Sequence, residues 1–177
     1  MKVKIGSYPN HRWYHNFLYD WFEYSPERKV SVKLDASDTW SMDDTLGHII
    51  LPMLYQLAKT KHGSPIVDIE DVPEYLQGDT DKDENLIHDR WDWVMTEMIW
   101  AFETKINNSD WIQDFCTGEH DFVDVPVLSS KGEIIGYEMT RGAGDTFKMD
   151  HEGIKEYQDR ISNGFKLFGK YYEGLWD

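Results

Sequence analysis

Three groups of side chains have the types and spacing that metal or ligand chemistry uses. Asp79, Asp81 and Asp83 alternate along one stretch, and alternate carboxylates can converge on one hard cation. A calcium loop of the EF-hand type then needs Gly at its sixth position and Glu at its twelfth, and this sequence puts Glu84 and Arg90 there. The pattern therefore reads as a solvated acidic segment that favours the positive end of a following helix. His88 and Asp92 stand four apart, the spacing that brings an imidazole and a carboxylate onto one helix face and one divalent ion. Two ligands do not make a site. The rest would have to come from Asp35, Asp38, Asp43 or His48, and no HExxH pattern accompanies the pair.

The third group is the run Asp35 to Asp44, which packs four acids, two serines and Trp40 between a strand pattern and a helix pattern. Strand-to-helix junctions often carry sites, and helix N-termini attract anions. Asp35, Asp38, Trp40, Ser41 and Asp43 are thus the candidate ligand-binding residues, with Asp38, Asp43, His88 and Asp92 the candidate metal set. The plainer reading is local: Ser41 caps a helix, and Asp44 three residues on completes a capping box. Two weaker signals complete the chemistry. Arg141-Gly-Ala-Gly-Asp145 is rich in glycine but lacks the GxxxxGK[ST] or GxGxxG context of a phosphate loop. Cys116 has Glu119, His120 and Asp121 close by, and neighbouring acids oppose the low pKa of a nucleophilic thiol.

These residues must be held by elements that the apolar spacing foretells. The first ten residues read as a short edge strand closed by Pro9, followed by an aromatic helix with Trp13, Phe17 and Trp21 on its inner face and Pro26 at its end. Lys29 to Asp35 alternates as a half-buried strand with Val30, Val32 and Leu34 inward. Leu46, Ile49, Ile50, Met53, Leu54 and Leu57 predict a core stripe on a helix kinked at Pro52, with Leu51 and Tyr55 on a second covered face. A helix from about Asn85 to Lys105 buries Ile87, Trp91, Val94, Met95, Met98 and Phe102. Trp93 and Trp100 form a second stripe on it, read as further packing or as a partner surface. Phe122–Leu128 and Glu133–Met139 predict a hairpin around Ser129-Ser-Lys-Gly132, and a last helix runs from about His151 to Leu175. Strands and helices do not alternate as βα units, so the expected fold is α+β. Several helices pack on a small, mainly antiparallel sheet in a single domain, with a mobile acidic loop around residues 77–84.

Composition narrows the function classes. The 177 residues hold 33 Asp+Glu against 18 Lys+Arg, a net charge of −15, which argues against nucleic acid as the main partner while leaving residues 1–34 as a modest basic patch. Hydrophobic residues at 40% and eight Trp exclude wholesale disorder. The single cysteine excludes an intrachain disulfide framework and a Cys-based zinc ribbon. Residues 1–6 lack the apolar core of a signal peptide, and no apolar run approaches the roughly 20 residues of a membrane span. The charge is local: residues 68–84 carry eight acids and one Lys, and residues 110–124 carry five acids and no base. Residues 1–34 are slightly basic.

The stretches Asp38-Thr-Trp-Ser-Met-Asp43, Ile50-Leu-Pro-Met-Leu54, Lys61-His-Gly-Ser-Pro65, Arg90-Trp-Asp-Trp-Val94, Glu97-Met-Ile-Trp-Ala-Phe-Glu103 and Leu167-Phe-Gly-Lys-Tyr-Tyr172 together resemble an uncharacterised family encoded by tailed bacteriophages, notably marine ones. The likeness covers residues 29–105 and the C-terminal helix. It implies a viral origin and action in the cytoplasm of an infected bacterium, and it carries over no catalytic residue. The leading expectation is therefore a soluble phage accessory protein that binds a host or phage macromolecule with a basic surface through acids such as Asp79, Asp81 and Asp83 and through exposed Trp. No cofactor is expected in that reading. The alternatives are a nucleotide-binding protein or metal-dependent hydrolase, using a divalent cation between residues 35–44 and 88–92, and a minor virion component.

Overall fold

The structure, a computed structural model, describes residues 1–6, 13–22, 27–79, 83–108 and 110–176. Pro9 and Pro26, expected to end elements, and Asp81 of the acidic loop lie outside the described residues. The chain is α+β, with four helices and three two-stranded antiparallel sheets among the described residues. It divides into two compact units, Met1–Leu46 and Gly47–Asp177.

In the first unit β1 (Lys2–Ile5) pairs antiparallel with β2 (Val30–Lys33), Val3 opposite Val32. The pairing is closed by Gly6 N–H donating to the Lys29 carbonyl at 2.8 Å. Helix α1 (Trp13–Phe22) lies between them in sequence. Val30, Val32 and Leu34 are exposed, so β2 is not the half-buried strand that its alternation suggests. Phe17 and Trp21 do meet, with ring centroids 5.8 Å apart, but both are exposed instead of forming an inner face. A two-stranded ribbon and one short helix have too few layers to enclose those side chains.

Helix α2 (Met42–Thr60) begins in the first unit and runs on unbroken through Pro52. In the second unit its buried line is Gly47, Leu51 and Leu54, while Met53 and Tyr55 are exposed. The expected stripe is thus shifted in part: Leu54 is buried and Ile50 and Leu57 pack against the core, but Met53 is exposed, and of the expected second face Leu51 joins the buried line while Tyr55 is exposed. Gly47 explains the shift. A Cβ there would lie 3.1 Å from Ile106 Cδ1, so the bare backbone is the surface that packs.

Helix α3 (Asn85–Asn107) is the centre of the core. Trp91, Val94, Met95 and Met98 are almost wholly enclosed, and Phe102 is buried beside them. Next come β3 (Cys116–Thr117), β4 (Phe122–Leu128), β5 (Ile134–Arg141) and β6 (Lys148–Met149). Among the described residues β3 pairs with β6, and β4 with β5 alone. Helix α4 (His151–Lys170) starts where Asp150 Oδ1 accepts the Gly153 N–H at 3.0 Å, an N-cap that satisfies one of the free donors of the first turn. It packs along α3 through Ile161, Gly164 and Leu167, with Phe165 and Phe168 each 5.1 Å from the Phe102 ring. Arg160 donates to both oxygens of the buried Glu97, at 2.9 and 2.7 Å, locking the two helices in register.

Candidate functional site

The residues that the sequence singles out are mostly occupied with local structure. In the first unit the Asp35 N–H donates to Asp38 Oδ2 at 2.8 Å, and the Met1 amino group donates to Asp38 Oδ1 at 2.9 Å. Those bonds, the Asp35 N–H first, hold the Asp38 carboxyl below the usual carboxylate range. Residues Ala36–Thr39 form a short 3-10 turn, and the Ser41 carbonyl accepts the Thr45 N–H at 3.0 Å. Asp43 stands in the first turn of α2. Trp40 points away from all of this and is 87% exposed.

In the second unit His88 and Asp92 do share one exposed face of α3. Each is tied to the chain that leaves α2. His88 Nδ1 lies 2.9 Å from Ser64 Oγ, and Asp92 Oδ1 lies 2.5 Å from Lys61 Nζ. Among the described residues no group of three or more His, Cys, Asp or Glu side chains is arranged to hold a metal ion. Trp93 is half-buried against the core, and Trp100 is half-buried between the Arg160 guanidinium, 3.9 Å from its ring centroid, and Tyr157. Packing, the first of the two readings of that stripe, accounts for both.

The acidic segments divide into a part paired with α4 and an exposed part. Lys170 Nζ bonds Asp68 Oδ2 at 2.6 Å and also Asp71, and these two bonds, Asp68's first, push its ammonium above the usual lysine range. The Tyr171 hydroxyl donates to Asp71 Oδ2 at 2.7 Å while accepting the Asp68 N–H at 2.9 Å. Burial, then the bond to Asp71, pushes the Tyr171 hydroxyl up to about 12. Asp79 and Asp83 are exposed beside α3, and Asp83 Oδ1 accepts the Asn85 N–H at 3.0 Å.

The least satisfied surface is the β4–β5 hairpin. Its turn has the expected form: the Ser129 N–H donates to the Glu133 carbonyl at 2.8 Å, and Gly132 takes φ 82°, which a residue with a Cβ rarely adopts. At its base the Gly142 N–H donates to the Asp121 carbonyl at 2.8 Å. Both faces mix polar and apolar side chains, with Thr140 and Glu138 opposite Val123 and Val125, and Asp124 opposite Met139. Val123, Val125 and Val127 lie on one face and Ile135, Tyr137 and Met139 on the other, and all six are exposed. Ile135, Tyr137 and Met139 are each 67% exposed.

Comparison with family models, with curated proteins and with solved structures finds no match to this chain. Geometry alone must therefore carry the functional reading.

Below the hairpin, the loop Arg141–Asp145 turns out to be filled by a carboxylate. The Gly144 N–H donates to Asp121 Oδ2 at 2.9 Å, and a Cβ on Gly142 would lie 2.2 Å from that same oxygen. Asp121 takes the place that a phosphate would need, which is the physical reason the glycines are there. The side chain of Asp145 is only 4% exposed, and its Oδ2 has no hydrogen-bond partner, with His120 Nδ1 and Arg141 Nε both 3.8 Å away. His120 is stacked between Phe122 and Phe147, at centroid distances of 4.9 and 3.8 Å. This aromatic and charged base ties the hairpin to the strands beneath it. The hairpin was visible in the sequence as strand alternation around a turn. Its bareness was not, because nothing in a strand pattern says how many layers cover it.

Proposed function

We propose that this chain is a phage-encoded accessory protein that acts in the cytoplasm of the infected host by binding a host or phage protein with a basic surface. The observation that carries this reading is the β4–β5 hairpin, exposed on both faces, each of which carries large apolar side chains among charged ones. A two-stranded ribbon is marginal by itself, and contiguous apolar surface of this kind marks contact with another molecule. Charge supplies the partner's sign. Between Glu119 and Arg141 the chain carries Glu119, Asp121, Asp124, Glu133 and Glu138 against Lys131 and Arg141, within a molecule of net charge −15. Such a field steers a basic partner and repels an acidic one. No helix among the described residues is long and apolar enough to cross a membrane.

The test is recovery of bound proteins on the tagged full chain from infected cells, beside a variant with residues 122–141 replaced by a short Gly-Ser turn. A basic protein that is held by the full chain, released by raised salt and absent from the variant supports the reading. Identical recoveries from both chains, or an affinity indifferent to ionic strength, would overturn it.

A further inference from the structure

The register of the hairpin says which of its edges a partner can use. The inward bonds at both ends, Ser129 N–H to the Glu133 carbonyl and Gly142 N–H to the Asp121 carbonyl, fix the alternation of an antiparallel ladder along β4. Val123, Val125 and Val127 direct their backbone groups towards β5, opposite Thr140, Glu138 and Gly136. Asp124 and Pro126 therefore direct theirs outward. Pro126 has no N–H, so it costs the ladder nothing and blunts the outer edge of β4, a usual protection against strand addition. On β5 the outward groups belong to Tyr137, Met139 and Arg141. All three retain an N–H, and no described strand pairs with that edge.

We infer that the outer edge of β5 is a strand-addition site, and that its occupant is an extended segment of a basic protein with alternating apolar and Lys or Arg residues. This rests on the binding function proposed above and specifies its mode. Main-chain bonds to Tyr137, Met139 and Arg141 give the added strand its place, and alternate side chains give it specificity. Tyr137 and Met139 lie on one face of β5 and offer apolar area to every second residue of the added strand. Glu138 lies on the other face, beside Val125, and favours a cation at the intervening position of the added strand. A second copy of this chain fits poorly, because pairing two β5 edges brings two molecules of charge −15 together and sets Glu138 near its own copy.

The test uses the full chain and a fluorescein-labelled peptide that alternates Lys with Val or Tyr over the eight residues that β5 spans. A second peptide carries N-methyl groups on alternate amides, which removes the donors needed for edge pairing and leaves charge and side chains in place. The expected result is binding of the first peptide that weakens with salt, with a loss of about tenfold or more for the N-methylated peptide. Met139→Pro should produce the same loss. Its N–H points outward, so the β4–β5 ladder survives, as far-UV circular dichroism would verify. Equal binding of both peptides by the wild-type chain, or no binding of either, overturns the strand-addition site. Sedimentation showing a dimer that Met139→Pro dissolves assigns the edge to a second copy and overturns the basic occupant. A cellular partner whose capture needs the hairpin but survives Met139→Pro would leave the broader binding function standing while this inference fails.

Discussion

At Arg90 a guanidinium does what a bound cation does in a calcium loop. Its Nε and Nη2 donate to the Leu76 and Gly78 carbonyls at 2.7 and 2.6 Å, drawing the start of the acidic stretch onto α3. The residue that disqualifies the EF-hand pattern in the sequence thus anchors the chain just before Asp79 to α3. Asp71 is a second acid held by protein groups. Burial alone would raise its carboxyl, but the bonds from Lys170 and Tyr171 outweigh that and hold it below the usual range. The signs fix two pH windows. A depressed carboxylate contributes stability above its unfolded pKa of about 3.9, and that contribution is lost as pH falls through the lower folded value. A raised tyrosine contributes fully below its unfolded pKa of about 10, and the contribution disappears as pH rises towards the folded value of about 12. Urea denaturation across both windows should therefore show stability falling at each end. Tyr171→Phe should flatten the alkaline fall, and the difference absorbance between the two chains should titrate near 12. An alkaline slope as steep in the variant as in the wild type would refute this role for Tyr171.

Between elements, the α3–α4 contact depends on the absence of a side chain. A Cβ on Gly164 would lie 2.4 Å from Ala101 Cβ and 2.7 Å from the Glu97 carbonyl oxygen. Helix propensity alone makes Gly164→Ala stabilising by about 1 kcal/mol. The close approach reverses the sign, because one of the two atoms is backbone and cannot rotate away. The expected outcome is a loss of about 2 kcal/mol or more by chemical denaturation. A more stable variant would mean that the helices pack differently. The same contrast between side-chain pattern and backbone contact explains what the sequence made legible. The helices α3 and α4 could be read because large apolar residues at helical spacing, such as Trp91, Val94, Met95 and Met98, do face the core. The inner line of α2 was read in part: Leu54, Ile50 and Leu57 do face the core, but Leu51 was set opposite them, and Gly47, which makes the contact, has no hydrophobicity to count. Both strands of the hairpin were legible from alternation and from the Ser129–Gly132 turn. The open edge of β5 was not, since it depends on strand number and on which way the N–H groups of Tyr137, Met139 and Arg141 face. Of the candidate site residues, the helix spacing of His88 and Asp92 was right, while their bonds to Ser64 and Lys61 come from a segment more than twenty positions away. Trp100 is likewise covered by a residue of α4, which no local pattern reveals.

For the molecule as a whole, the net charge of −15 is unevenly placed, and one lysine, Lys170, is shared by Asp68 and Asp71 within the fold. The acids that remain around the hairpin sit beside apolar side chains that the fold does not cover. In the proposed function, folding and binding belong to different parts of the chain, and that separation can be measured. Asp121 and Gly142 are already joined by a backbone bond of 2.8 Å, so residues 122–141 can be replaced by a short Gly-Ser turn without stretching the base. The hairpin side chains are largely exposed, hence little burial is lost. The expected Tm of the shortened chain lies within about 3 °C of the full one, a change of about 1 kcal/mol for a chain of this size, with the helical signal at 222 nm intact. Hydrogen exchange on the full chain should agree: amides of α3 around Val94–Met98 exchange slowest, and those of β4 and β5 far faster. A drop in Tm beyond about 10 °C, or hairpin protection equal to that of α3, would place the hairpin inside the cooperative core. Its exposed valines, Tyr137 and Met139 would then answer to folding, and the case for a basic partner would lose its main support.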